Sequence, residues 1–309
     1  MKTAIIIVTY NKFDLTNACL WCIMPLLQRG FEIAVVDNGS TDQTAQKIRE
    51  NFPQVHLLEL QKNMGYATAT NMAIQNLAKK GVDFDAICLL HNDVLPKLQS
   101  LPLLKNSLIK YKNTHQKEAI VAPFVKASNG SIQKNYYAKI TPFQFFLTAF
   151  KSKETASKKI HGVLSPSSDP SLFETYRTNS ICLMMSRPLW EMLGGFDQDI
   201  FLYHEDLDFA MRAKKLNIPY FMERQAIITH LGGESPLLTL TNAIKYDNSQ
   251  EYVFQKHFGL KGKLFSKLYR FSRSFTKLLF SFPFIAFSPS LKKKSNIHLQ
   301  LLKNIFSTP

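Results

Sequence analysis

Short β-rich apolar runs alternate with segments of helical periodicity through the first ninety residues, the way a parallel sheet built from βαβ units is written. Residues 4–8, 33–36, 55–58 and 86–90 supply four strands. Helices are expected from about residue 13 to 28, where Gly30 ends the run, from Ser40 to about Glu50, and from about Gly65 to Lys79. Ser40 as N-cap with Gln43 three positions on fits a capping box. Ligands on such sheets sit beyond the carboxyl ends of the strands. Three polar clusters fall there: Thr9-Tyr10-Asn11, Asp37-Asn38 and His91-Asn92-Asp93.

The middle of the chain is less periodic. Residues 97–122 read as a basic helix-like segment followed by a strand at 119–122, and residues 151–169, rich in Ser and Lys, read as a mobile loop. A strand resumes at 181–185, and Gly194-Gly195-Phe196-Asp197 turns towards Tyr203-His204-Glu205-Asp206. Phe209, Ala213 and Leu216 then recur at helical spacing, with Asp208 and Arg212 as an i,i+4 pair on a neighbouring face. Pro219 stops that helix, and a strand at 226–228 delivers His230. Near the C-terminus, Leu264, Leu268, Phe271, Phe275, Leu278 and Phe282 form an apolar stripe at alternating spacings of four and three, flanked by cations.

Composition narrows the picture. The chain has 309 residues, 45% of them apolar and 20% charged, which excludes disordered, collagen-like and disulfide-framework proteins. Its net charge of +15 points to an anionic partner: nucleic acid, a phosphorylated ligand or a membrane surface. From Tyr252 onward no acidic residue occurs, and the tail carries eleven of the cations. Four cysteines fit a reducing compartment, and Cys19-x-x-Cys22 lies mid-helix with no second pair to complete a zinc site. The apolar run at 4–8 is too short for a signal-peptide core, and no run approaches the ~18–20 apolar residues of a spanning helix. The expected location is cytoplasmic, or attached to a membrane without crossing it.

The clusters carry chemistry. Thr9 and Tyr10 offer backbone groups and a ring face, and the Asp37 carboxylate can accept a base N–H, so together they suit a pyrimidine. The plainer reading is that 37–40 forms a turn feeding a helix cap. Glu205-Asp206 at a helix start is either a helix-start signal or a placed pair of carboxylates.

Six clusters occur in the order found in the family 2 glycosyltransferases of the nucleotide-sugar (GT-A) fold. They are Ile7-Val8-Thr9-Tyr10-Asn11, the run Val35 to Asp42, Asn63-Met64-Gly65 with Asn71, His91-Asn92-Asp93, Gly194-Gly195-Phe196-Asp197, and Leu202 to Asp208. From about Ala4 to Gly233 the chain resembles that family, particularly its bacterial rhamnosyltransferase-like members. The resemblance implies nucleotide binding by Thr9, Tyr10, Asn11, Asp37, Asn38, Asn63, Gly65, Asn71 and Asn92. It also implies Mg2+ or Mn2+ at Asp93, joined by His230, and general-base catalysis by Asp206 with Glu205 orienting the acceptor or its loop. The sequence departs from the family's D-x-D motif at its first position, where His91 stands.

The expectation is an α/β fold: a GT-A domain over 1–235 with a mostly parallel central sheet, divided into a nucleotide-binding half (1–95) and an acceptor half (96–235), then a basic amphipathic helical tail over 236–309. The expected activity is inverting, metal-dependent transfer of a sugar from a UDP- or dTDP-linked donor, dTDP-rhamnose among them, to a glycan or lipid-linked glycan in cell-surface polysaccharide synthesis. The tail would seat on the anionic inner face of the cytoplasmic membrane or pack on the protein's own catalytic domain. Nucleic acid is not expected, since no recognisable module accompanies the charge. A sugar nucleotidyltransferase is the alternative enzyme, but the Gly-rich, Arg-containing signature of that class is missing around 9–14. A non-enzymatic binding protein would explain the charge but not the clusters.

Overall fold

The computed structural model describes residues 1–139, 141–150, 164–232, 239–281 and 289–307. Among these the chain divides into two compact units: residues 1–137, 164–201 and 205–232, and residues 138–150, 202–204, 239–281 and 289–307. The expected mobile loop lies outside the described residues over 151–163, as do residues 282–288.

The first unit is built on a mixed sheet. Strands β1 (Thr3–Thr9), β2 (Phe31–Asp37), β3 (His56–Glu59) and β4 (Ala86–Leu90) are mutually parallel, as the apolar runs predict. The register sets Thr9 beside Asp37, so these polar side chains leave the sheet together. Four strands follow: β5 (Val94–Pro96), the longer β6 (Ile120–Ala127), β7 (Ile132–Gln133) and β8 (Tyr136–Tyr137). Next come β9 (Ser165–Pro166), β10 (Leu172–Thr175), β11 (Arg177–Thr178), β12 (Cys182–Ser186) and β13 (Tyr220–His230). The sheet order is β3-β2-β1-β4-β12-β6-β13-β10-β9, with β12 antiparallel to both β4 and β6.

Strand β13 is far longer than the expected 226–228, because pairing with β6 continues on both sides of the polar stretch Glu223-Arg224-Gln225. The register shifts between Glu223 and Ile227, and buried Glu223 accepts from the Ser107 hydroxyl.

Helices cover both faces. They are α1 (Phe13–Ile23), α2 (Thr44–Asn51), α3 (Tyr66–Lys79), α4 (Ser100–His115), α6 (Arg187–Met192) and α7 (Glu205–Lys215), while α5 (Pro142–Phe146) belongs to the second unit. On one face Ile5, Ile7, Ile33 and Val35 pack with Leu20 of α1 and Leu104 of α4. On the other, Ala4, Ile6, Ala34 and Val36 meet Ala73 and Leu77 of α3, with Trp190 and Phe209 beyond. The pleat sends alternate residues of each strand to opposite faces, and both are apolar, hence the continuous runs in the sequence.

Two helix boundaries depart from expectation. Helix α1 ends at Ile23 and tightens into a 3-10 turn, Met24–Arg29, with Pro25 inside it and left-handed Gly30 closing it. The capping box at Ser40 does not form. The Ser40 hydroxyl accepts from the Asn11 amide and its own N–H donates to Asp37, so α2 starts later, where Asp42 accepts from the Thr44 N–H.

The second unit is helical: α5, then α8 (Leu240–Ser281) and α9 (Pro289–Ser307). Helix α8 is broken at Gly259, whose φ of 63° and ψ of −151° are non-helical. A Thr141–Gln144 capping box starts α5, and Phe145 packs against Phe254 and Tyr269 of α8. The inner side of α8 is polar. Arg270 bonds Glu251 at 2.5 Å and Arg273 bonds Asp247 at 2.9 Å, all of them buried. Arg270 and Arg273, two of the eleven cations of the tail, therefore face inward. The apolar stripe faces out: Leu264, Leu268, Phe271 and Phe275 are exposed, as are Leu260 and Leu279 beside them. Phe282, expected to continue it, lies outside the described residues. Among the described residues no helix is long and apolar enough to cross a membrane.

Candidate active site

The carboxyl ends of β1 and β2 carry Thr9, Tyr10, Asp37 and Asn38. Asp37 is 2% exposed; its Oδ1 accepts from the Ser40 N–H at 2.8 Å, while Oδ2 is buried without a hydrogen-bond partner. A buried carboxylate oxygen left unpaired is costly, so this one is placed for a donor from outside the chain. Tyr10 is 42% exposed, an available ring face. Asn11 sits left-handed at φ 52°, and its Oδ1 accepts from the Thr41 N–H, tying the β1 loop to the β2 loop.

Asn38 is buried and brings in the third cluster. Its Oδ1 accepts from the Met64 N–H at 2.8 Å, and its Nδ2 donates to Asn63 and to the Gly65 carbonyl. Gly65 needs to be glycine: its φ is +82°, and a Cβ there would run into the Phe201 carbonyl.

Two residues expected at the nucleotide do other work. The Asn71 amide donates to the Phe196 carbonyl at 2.7 Å and its Oδ1 accepts from the Phe196 N–H at 3.0 Å. Buried and used at both ends, it fixes the 194–197 turn to α3. Arg212, held by Asp208 at 2.8 Å, donates to the carbonyls of Leu193 and Gly195 in the same turn. Asn92 donates to the hydroxyls of Thr9 and Thr16, so it joins the end of β4 to β1 and α1.

Sheet register assembles the next group. Strand β5 runs antiparallel to β13 with Val94 opposite His230, and the Leu231 N–H donates to the Asp93 carbonyl at 2.8 Å. His230 Nε2 thus lies 3.3 Å from Asp93 Oδ1, and His91 Nδ1 lies 4.0 Å from the same oxygen. His91, Asp93 and His230 offer one ligand atom each, all within 4.8 Å of one another. Burial pulls the His91 imidazole down to about 4, helped by His230 and opposed by Asp93, so it is neutral near pH 7. Burial pushes the Asp93 carboxyl up, but the neighbouring His230 and His91 outweigh it and hold it below its ordinary value. Asp93 Oδ1 is buried and faces both rings. A carboxylate and two imidazoles this close together fit a divalent metal ion.

The last group sits at the start of α7. Tyr203 and His204 are both left-handed, at φ 67° and 66°, a strained entry that delivers Glu205 and Asp206 at the helix N-terminus. Asp206 Oδ1 accepts from the Leu207 N–H at 2.8 Å and Oδ2 lies 3.3 Å from Arg177 Nη1. Burial raises the Asp206 carboxyl above its ordinary value, and the Arg177 guanidinium pulls it part of the way back. Glu205 accepts from the Ser180 hydroxyl at 3.2 Å. The sequence reading missed Arg177. Its guanidinium stacks 4.0 Å over the Tyr137 ring, and neither partner is near it in sequence. Cys19 is inert, as its mid-helix position suggested: burial pushes its thiol far up, and its S–H points at the His91 carbonyl.

Comparison with known proteins agrees with this architecture. The chain is similar to an N-acetylglucosaminyl-diphospho-decaprenol L-rhamnosyltransferase of Mycobacterium tuberculosis, with 26% identity over 230 residues, 68% of this chain and 70% of that protein. It is similar to the dTDP-rhamnosyl transferase RfbF of Shigella flexneri, with 24% identity over 69% of this chain and 63% of that one. Among solved structures, the mannosyltransferase PcManGT of Pyrobaculum calidifontis, in complex with GDP-Man and Mn2+, matches at a TM-score of 0.56 and 16% identity, over 100% of this chain and 88% of that one. Residues 1–349 of TarS from S. aureus match at 0.52 and 15%, over 99% and 82%. These structures share the fold. The sequence model of glycosyl transferase family 2 matches residues 4–164, more than half of the chain, which therefore belongs to that family and is a glycosyltransferase.

Proposed function

We propose that the enzyme transfers a sugar, with inversion, from a nucleoside-diphosphate donor to a hydroxyl of a glycan or lipid-linked glycan. The observation that carries this reading is two carboxylates at the carboxyl ends of β2 and β4: Asp37, whose buried Oδ2 has no hydrogen-bond partner, and Asp93, whose buried Oδ1 is faced by His230 and His91. Asp37 accepts the imide N–H of uracil or thymine, and the exposed Tyr10 ring stacks on the base. The Asn38-Asn63-Gly65 network holds the loop beside the ribose and diphosphate. Asp93 and His230 hold Mg2+ or Mn2+, which when bound neutralises charge on the leaving diphosphate. Asp206 takes the proton of the acceptor hydroxyl as its oxygen bonds the anomeric carbon. The carbon–oxygen bond to the diphosphate breaks, and the nucleoside diphosphate leaves with the electron pair. The names of the similar proteins favour dTDP-rhamnose as donor and a polyprenyl-diphosphate-linked sugar as acceptor.

A lipid-linked acceptor calls for a membrane surface. The exposed stripe Leu264, Leu268, Phe271 and Phe275, with exposed Lys261 and Lys277 beside it, suits the anionic inner face of the cytoplasmic membrane. Its rings enter the acyl boundary while each lysine near an anionic leaflet adds about 1 kcal/mol.

The test is a screen of dTDP-rhamnose and UDP-sugars for nucleoside diphosphate release, with and without EDTA. Release restored by Mn2+ or Mg2+ and raised by a lipid-linked acceptor supports the reading. Release indifferent to metal, or none from any pyrimidine donor, refutes it.

A further inference from the structure

The position before Asn92-Asp93 holds an imidazole, His91, where the D-x-D motif has Asp, and its surroundings aim that ring at the metal group. The His91 N–H is anchored to the Ile181 carbonyl at 3.0 Å, and the ring stands edge-on to Tyr66, with centroids 5.3 Å apart. Its Nδ1 faces Asp93 Oδ1 at 4.0 Å.

On the other side, strand pairing puts Gln133 of β7 next to β6 and β6 next to β13, and the Gln133 carbonyl oxygen takes the His230 Nδ1–H at 3.1 Å. That contact orients the ring so that His230 Nε2 faces Asp93 Oδ1 at 3.3 Å. Gly232 keeps the space clear, since a Cβ there would collide with Asp93 Oδ2 and crowd His230 Nε2.

We propose that His91 is a third protein ligand, completing with Asp93 and His230 a two-imidazole, one-carboxylate site that takes a first-row transition ion such as Mn2+ in preference to Mg2+. Mg2+ binds hard oxygen donors and sheds water reluctantly, whereas first-row transition ions gain from imidazole nitrogen. An Asp at position 91 would add a negative oxygen ligand and favour Mg2+; His91 adds a neutral nitrogen and removes that advantage. The inference rests on the metal-dependent reading above.

The test uses the metal-free full chain with UDP and Mn2+, followed by electron paramagnetic resonance. Pulsed spectra are expected to show coupling to two imidazole nitrogens, with Mg2+ displacing Mn2+ only at about hundredfold excess or more. In His91→Asp one nitrogen coupling disappears and that excess falls at least about tenfold. A single coupled nitrogen in the unaltered protein, or Mg2+ displacing Mn2+ at near-equal concentration, overturns the role of His91 while leaving metal dependence standing. No Mn2+ bound in the presence of UDP overturns both. The nitrogen count needs no variant, so a poorly folding substitution does not blunt the test.

Discussion

Arg177 sets the pH behaviour of the proposed base. Burial pushes the Asp206 carboxyl up, and the guanidinium 3.3 Å away favours the charged form and pulls it down. A general base works deprotonated, so activity is lost as pH falls through its pKa. Replacing Arg177 with Gln removes the stabilising charge, raises that pKa further, and moves the acid limb of the kcat/KM profile to higher pH. A profile that stays in place or moves to lower pH contradicts the pairing. The carboxylates themselves were legible because strand ends and a helix start announce where a side chain emerges. Arg177 was not, since an isolated cation in an aperiodic stretch gives no hint of a partner 29 residues away. Asn71 and Asn92 show the converse: an amide in a functional motif can tie the chain to itself, Asn71 through the backbone of Phe196 and Asn92 through the hydroxyls of Thr9 and Thr16, and only its hydrogen bonds tell which.

At the scale of elements, the 194–197 turn depends on α3 through Asn71. Asn71→Ala leaves the Phe196 N–H and C=O buried and unpaired, which costs about 2–6 kcal/mol at roughly 1–3 per group. Denaturant unfolding should register that loss, with the midpoint falling and the slope unchanged; a midpoint within error of the parent would show that the turn holds without Asn71. The parallel strands were readable because strands buried on both faces read as unbroken apolar runs. Helix starts were less so. Ser40 has the right side chain for a cap, yet the Asn11 N–H claims it. Strand β13 hid because Glu223, Arg224 and Gln225 interrupt its apolar pattern at the irregularity.

Across the whole molecule, the +15 charge is not evenly available. Two tail cations, Arg270 and Arg273, are consumed by Asp247 and Glu251 inside the helical unit. Spacing revealed that α8 has an apolar and a polar face but not which one points inward; the buried ion pairs turn the apolar face to solvent. Phe271→Glu combined with Phe275→Glu should therefore weaken sedimentation with anionic vesicles by about tenfold or more, through lost ring burial and added charge repulsion, without altering unfolding. Asp247→Asn should do the reverse, lowering stability by about 3–5 kcal/mol because it leaves buried guanidinium charge uncompensated. If the Phe double variant still pelleted with vesicles, the stripe would not be the membrane face. If it unfolded instead, the stripe would be core.

The most direct test of the account is Asp206→Asn, measured for both turnover and nucleotide affinity. The amide keeps the size and the contact near Arg177 but cannot take a proton, so sugar transfer should fall by about 10²–10⁴-fold while the Kd for the donor nucleotide with Mn2+ stays within about twofold. Transfer at the parent rate, with the protein folded and donor bound, would contradict it.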